Sequence, residues 1–213
     1  GISYELLDPE GEATVLPSTT YTGEITVPAT VAYNGKTYSV TAIAPRAFYG
    51  TTIDILCLPA NIKNIPAEMA ANCQDLISVG LPDHLEKIGV HAFYDSPNIR
   101  FIRCINNGVN NNLIPPAFTT DDDSDYGNAF SSSIFSDCML AIPASMYANY
   151  KRATGWKNFS SFAYWHDTDV SPDSVVFTGK FSGEETEVRT LTPVAYPSDA
   201  LILNSVSYTH LRA

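Results

Sequence analysis

The feature that most narrows what this 213-residue chain can fold into is a spacing. Three segments, Ile53-x-x-Leu56-x-Leu58-Pro59, Leu76-x-x-Val79-x-Leu81-Pro82 and Ile99-x-x-Ile102-x-Cys104, put their last apolar residue at positions 58, 81 and 104, a step of 23 residues taken twice. A second mark keeps nearly the same period: Ile43 with Ala47-Phe48, Ile65 with Met69-Ala70, and Ile88 with Ala92-Phe93. A unit this short cannot bury an apolar face alone, so it must stack on neighbours into a solenoid. The spacing predicts an inward ladder of Ile53, Leu56, Leu58, Leu76, Val79, Leu81, Ile99, Ile102 and Cys104, with Ile65, Ile88, Phe93 and Leu113 on the opposite wall. Pro59 and Pro82 should end the first strand of their units, because proline has no donor for a continuing ladder.

The phase slips after Cys104. Counting back from Leu140-x-Ile142-Pro143 selects Ala129-Phe130 as the next apolar pair and leaves Asn106 to Asn128 as an enlarged loop. Beyond Pro143 the pattern turns helical, with Ser145 expected as N-cap and Gly155 as stop. Trp156 and Phe159 should fold back over the last repeat as a cap. Before the repeats, Ile2 to Leu7 and Glu12 to Leu16 flank Asp8-Pro9-Glu10-Gly11 as a hairpin. Asn34-Gly35 marks a second, since it supplies the positive φ angles of a two-residue turn. Hairpins there are expected to cover the first edge of the stack.

Composition excludes several function classes. With 12 basic and 23 acidic residues the net charge is −11, which repels phosphate backbones, so nucleic acid is not an expected partner. No run of about 18 apolar residues is present, so direct membrane insertion is not expected, and no signal peptide is read at the N-terminus. The four cysteines, Cys57, Cys73, Cys104 and Cys138, fall in different columns of the repeat and are expected to stay free. Gly35-Lys36-Thr37 matches only the tail of a phosphate-binding loop, and His84, His91, His166 and His210 are scattered. Neither a metal nor a cofactor is therefore expected. Asp121, Asp123 and Asp125 alternate as calcium ligands do, but Tyr126 stands where the loop needs glycine and Ser132 where it needs a bidentate glutamate. That run reads as a solvated acidic loop.

The repeat pattern resembles the BspA-like branch of leucine-rich repeats of bacterial surface proteins, over residues 21 to 159. The likeness includes the lead-in Ile25-Thr26-Val27-Pro28 and the close Gly155-Trp156-Lys157-Asn158-Phe159. Met69-Ala70 in place of Ala-Phe, and Cys104 before a missing proline, depart from it. Residues 170 to 200 are similar to the first half of a bacterial group 2 immunoglobulin-like domain, and Val206 to Ala213 resembles a translated sequencing adapter. The resemblance implies a mainly β, right-handed leucine-rich-repeat solenoid with an N-terminal hairpin cap, a short C-terminal capping helix and a partial immunoglobulin-like segment. The expected divisions are 1–52 for the N-terminal cap and first partial repeat, 53–163 for the solenoid, 164–205 for the immunoglobulin-like segment and 206–213 for an artefactual tail.

It also implies a non-enzymatic adhesion or ligand-binding module at the bacterial cell surface or outside the cell, taking a protein or glycan on host or neighbouring cells. A structural spacer, or an accessory module of a glycan-processing enzyme, are the alternatives. The binding face is expected to be the outward side of the repeat strands, where Ile55, Ile77, Phe101 and Met139 face water and Arg100 and Arg103 stand out in an acidic chain.

Overall fold

The computed structural model describes residues 1–82, 84–104, 114–120 and 124–163, together with the backbone of strand residues 164–165, 175–177, 189–191, 194–196 and 200–202. Strands β1 (Tyr4–Leu7) and β2 (Glu12–Val15) form one antiparallel hairpin, β3 (Thr22–Thr26) follows, and β4 (Thr30–Tyr33) and β5 (Lys36–Ile43) form a second. The second turns at Asn34 and Gly35, with φ of 49° and 77°, as that dipeptide requires. Then come β6 (Thr52–Cys57), β7 (Asn64–Ile65), β8 (Ser78–Leu81), β9 (Lys87–Ile88), β10 (Phe101–Cys104) and β11 (Ala117–Phe118). A helical turn α1 (Ile134–Asp137) precedes β12 (Met139–Pro143), and α2 (Tyr147–Tyr150) precedes β13 (Ser161–Trp165), β14 (Val175–Phe177) and β15 (Arg189–Leu191).

The repeats coil into a β-solenoid with three walls. The first is the parallel run β3-β6-β8-β10-β12-β13, in which Leu56, Val79, Ile102 and Leu140 share one inward row. Leu81 is paired with Cys104, and the Leu58 N–H donates to the Gly80 carbonyl at 3.1 Å, so Leu58, Leu81 and Cys104 lie on successive rungs. β6 stops before Pro59 and β8 before Pro82, as predicted. The second wall is β7-β9-β11, which stacks Ile65, Ile88 and Phe118. The third has little regular strand, yet its backbone bonds run rung to rung: Phe48 N–H to Met69, Ala70 N–H to Ala92, and Phe93 N–H to Ala129. Phe93 pairs with Phe130, and their rings stack at 5.3 Å and 4°, so the phase counted back from Leu140 is the one the chain uses. All these row residues except Phe118 are buried, each aliphatic one contributing about 1.5–3 kcal/mol.

In the N-terminal cap the hairpins form their own sheet, β1-β2-β5-β4, in which β2 pairs with β5 in parallel and brings Val15 opposite Ile43, and β3 is the first strand of the solenoid wall. Three expectations need correction. The stretch 106–128 is not all loop, since it contains β11, with Phe118 in the row assigned to Leu113, which lies outside the described residues. Ser145 lies inside a 3₁₀ turn, Ala144–Met146, and makes no capping hydrogen bond. Cys138 ends α1 rather than sitting within β12, its N–H donating to Ile134.

The C-terminal cap is built as expected: Gly155 takes φ of 76°, and Trp156 and Phe159 are buried against the last turn. Beyond it β13 adds a further parallel rung, Leu140 opposite Phe162, and β14 pairs antiparallel to β13. β15 pairs antiparallel with β14, Val176 opposite Thr190. Residues 206–213 lie outside the described residues.

A polar column inside the third wall holds the turns together. Thr51, Cys73 and Ser96 recur with the period of the repeat and are buried. The Thr51 hydroxyl and the Cys73 thiol both donate to the Phe48 carbonyl, at 2.7 and 3.0 Å. The Ser96 hydroxyl accepts from the Cys73 N–H at 2.9 Å and donates to the Ala70 carbonyl at 3.0 Å. Ser96→Ala orphans one donor and one acceptor and should lower stability by about 1–3 kcal/mol. Ser96→Cys should lose less, because the column already takes a thiol at 73; equal urea midpoints for the two variants would contradict this account.

Candidate functional site

In the pattern I-x-x-L-x-L the two residues between inward positions share the outward side. Ile53 and Leu56 are buried, which leaves Asp54 and Ile55 facing out; the same logic places Ile77 with Ser78 and Arg100 with Phe101. Pairing then aligns Glu24, Ile55, Ser78, Phe101, Met139 and Ser161 in one outward row. A second row holds Thr26, Cys57, Gly80, Arg103, Ala141 and Ala163. At the entry of the rungs, the Ile77 N–H donates to the Asp54 carbonyl at 2.8 Å and the Arg100 N–H to the Ile77 carbonyl at 2.9 Å, which stacks those three residues.

The structure thus brings Ile55, Phe101 and Met139 into one row and Ile77 into the adjacent one. Ile77 is 51% exposed, while Ile55, Phe101 and Met139 are half-buried. Both arginines lie against the protein's own surface. The Arg100 guanidinium donates to the Pro97 carbonyl at 2.7 Å and the Ile99 carbonyl at 3.2 Å. Arg103 is only 8% exposed, its row neighbours Gly80 and Ala141 leaving room for a long side chain to lie down. A charge reversal at these two positions would therefore disturb the fold's own contacts as well as any ligand.

The cysteines are all free thiols. Burial pushes Cys57 up, with the Glu24 charge adding to the shift and Arg103 opposing it. Burial carries Cys104 up to about 12 and raises Cys138 further. Tyr150, buried beside Cys104 with no well-formed hydrogen bond to its hydroxyl, is raised too, chiefly by desolvation. A thiol whose folded value exceeds its unfolded one favours the folded state fully below about pH 9 and loses that favour as pH rises toward the folded value. None of these thiols is activated as a nucleophile is.

Asp125 pairs with Lys157 at 3.7 Å and ties the acidic stretch to the C-terminal cap; Asp121 and Asp123 lie outside the described residues. Among the described residues no group of three or more His, Cys, Asp or Glu side chains could hold a metal, and no helix is long and apolar enough to cross a membrane. Asp54 falls at an outward position in the repeat count but was not among the candidate binding residues; its Oδ1 is buried without a hydrogen-bond partner. Its signal is structural, because it arises where the pairing of β3 with β6 slips.

Stacked parallel rungs, a repeat near 23 residues and an unbroken outward sheet define a leucine-rich-repeat solenoid. Residues 30–115 match the family model described as the BspA type leucine rich repeat region, in 6 copies. Among solved structures the chain is similar to a leucine-rich repeat protein from Bacteroides capillosus, at 26% identity over 61% of this chain and 90% of that one, with a TM-score of 0.44. It is similar also to a leucine rich repeat protein from T. pallidum, at 18% identity over 78% and 80% of the two chains, TM-score 0.46. A leucine rich cell surface protein from Faecalibacterium prausnitzii matches at 17% identity over 84% of this chain and 57% of that one, TM-score 0.44. None of the curated proteins matches the chain.

Proposed function

We propose that the chain is a non-enzymatic binding or adhesion module that works outside the bacterial cell or on its surface, using the outward face of β6, β8, β10 and β12. The carrying observation is Ile77, 51% exposed on a rigid parallel sheet and flanked by Ile55, Phe101 and Met139. Apolar groups on such a surface fill no core, and a broad solenoid wall is the kind of surface these folds present to partners. The BspA-type repeat match over 30–115 supports the compartment and the adhesive role. The partner is a protein or glycan on a host or neighbouring cell.

The test is binding of the whole chain to a panel of purified matrix proteins and to intact bacterial cells. The double variant Ile77→Ser with Phe101→Ser should weaken any saturable binding roughly tenfold or more while leaving the circular dichroism spectrum in place. A variant that binds undiminished removes this face from consideration. A second reading, a spacer that holds another domain away from the cell, is favoured by β14 continuing the solenoid sheet past β13. A spacer predicts no saturable partner in the same panel.

A further inference from the structure

The third wall carries an outward column of its own. Tyr49, Ala71 and Tyr94 each close the same turn, their N–H groups donating to the carbonyls of Arg46, Glu68 and His91 at 3.2, 3.4 and 3.1 Å. The Gly50 N–H bonds to the Ala71 carbonyl at 2.9 Å and the Asn72 N–H to the Tyr94 carbonyl at 2.8 Å, which sets the three residues on successive rungs. Pairing of Phe93 with Phe130 places Ser131 next in the column. Aromatic and small residues therefore alternate, and the two tyrosines stand two rungs apart with the buried Ala71 between them.

Tyr94 is 47% exposed and Tyr49 is half-buried, and neither belongs to the core. Each ring is steadied from its own turn: the Arg46 guanidinium lies 4.0 Å from the Tyr49 ring centroid, and the His91 ring 5.1 Å from that of Tyr94. Arg46 and His91 hold left-handed backbone, φ of 61° and 57°, where glycine would sit without strain. Beside the tyrosines runs a polar column, Gly50, Asn72 and Asp95, all exposed. The Gln74 Nε2 donates to the Asn72 Oδ1 at 3.2 Å and to the Asp95 carbonyl at 2.8 Å, which fixes the Asn72 amide. Its Nδ2 faces the bare backbone of Gly50, 3.8 Å from where a Cβ would stand. Neither that Nδ2 nor the Asp95 carboxylate has a hydrogen-bond partner among the described residues.

One fixed donor and one acceptor beside two held aromatic rings, with no exposed aliphatic side chain among them, suit a ligand of hydroxyls and C–H faces, which is a carbohydrate. Two rungs span roughly 10 Å, which is also the length of two sugars in an extended β-1,4-linked glycan, where alternate rings turn the same face to one side. Glu68 meets the Arg46 charge at 3.4 Å and the chain carries a net −11, so a neutral glycan is favoured over an acidic one.

We propose that the third wall binds a neutral, extended β-1,4-linked glycan laid along the solenoid axis. One sugar stacks on Tyr94 and the next but one on Tyr49, while Asn72 and Asp95 meet hydroxyls of the sugar between. This site is separate from the first-wall face and stands whether or not that face takes a partner.

The test is calorimetric titration of the full chain with cellohexaose and with chitohexaose, and with maltohexaose, which is α-linked and coiled, as counterpart. At least one β-1,4-linked hexamer should bind saturably and maltohexaose should not. The corresponding dimer reaches only one tyrosine and should bind roughly tenfold or more weakly than the hexamer. Tyr94→Ala should weaken hexamer binding roughly tenfold or more, whereas Tyr94→Phe should keep it, because stacking does not need the hydroxyl. Asn72→Gly suits the φ of 58° and keeps the turn, yet should weaken binding by removing the donor. Tyr33→Ala, at a residue 59% exposed in the separate hairpin sheet, should change nothing. The proposal is overturned if neither hexamer binds saturably, if maltohexaose binds as tightly, or if the dimer binds as well as the hexamer. It is overturned too if Tyr94→Ala, with its circular dichroism spectrum unchanged, binds like the wild type. Equal weakening by Tyr33→Ala would also overturn it, since any exposed tyrosine would then serve.

Discussion

Trp156→Ala is expected to lower the unfolding free energy by about 3–5 kcal/mol, because it removes the largest side chain of the C-terminal cap from a site with no exposure. The indole lies 4.9 Å from the Phe118 ring, 5.1 Å from Tyr150 and 5.8 Å from Phe159, and its Nε1–H donates to the Pro116 carbonyl at 2.7 Å. Pro116 is itself buried, so truncation leaves its carbonyl without that donor and adds to the loss. The damage should concentrate at the last second-wall rung. Ala117 and Thr119 bond back to Glu86 and Ile88, and they keep that register only while Phe118 is held by the indole. In hydrogen exchange those two amides should lose protection while Ile102 and Val79, in the middle of the first wall, keep theirs. Trp156→Phe should recover most of the packing but not the hydrogen bond. Undisturbed protection at Ala117 and Thr119 in the alanine variant would show that the cap does not anchor β11.

That anchor explains how the repeat survives its own interruption. From Val79 to Ile102 the step is 23 residues, but from Ile102 to Leu140 it is 38, and the added chain has to leave the stack and return in phase. β11 is the point of contact: Phe118 pairs with Ile88 on one side and meets Trp156 and Phe130 on the other. Gly155 is demanded by the same contact, since a Cβ there would come within 2.6 Å of the Phe118 ring, at a φ that already favours glycine.

What could be read from sequence follows from how strongly each signal is coupled to burial. Inward residues repeat because each must face the core at the same point of each turn, and that let Leu58, Leu81 and Cys104 be aligned and Ala129-Phe130 be found by counting. β11 was missed because two residues give no periodicity, and a long insertion destroys the count around them. The column Thr51, Cys73, Ser96 keeps the period, yet small polar residues are usual in turns and nothing in the pattern distinguishes a buried hydroxyl from a solvated one. The outward face was legible as a set of positions but not as a charge distribution. Where Arg100 and Arg103 put their guanidinium groups depends on nearby carbonyls and small neighbours, and the Asp54 bulge depends on a register between β3 and β6 that neither strand encodes alone.

Two glycines of one turn, on different walls, provide the severest test of how closely that turn approaches the one before it. A Cβ on Gly89 would lie 2.6 Å from the Ala67 nitrogen, 2.7 Å from the Pro66 carbonyl carbon and 2.9 Å from the Ile65 oxygen. All three are backbone atoms of the preceding turn, and the Gly89 N–H donates to that same Ile65 oxygen at 2.8 Å, so no side chain can rotate out of the way. Gly89→Ala must push two rungs apart at the second-wall corner and should cost about 3 kcal/mol or more, at the upper end for overpacking. On Gly80 the added methyl would meet the Cys57 Sγ at 3.4 Å, a side-chain contact that can yield. Gly80→Ala should therefore be close to neutral, or stabilise by up to about 1 kcal/mol through the unfolded chain. The difference, read from urea midpoints of the two variants, isolates backbone apposition from the general effect of replacing glycine by alanine. Similar midpoints would mean that the corner at Gly89 is looser than stacked rungs allow, and the tight solenoid geometry would have to be given up there.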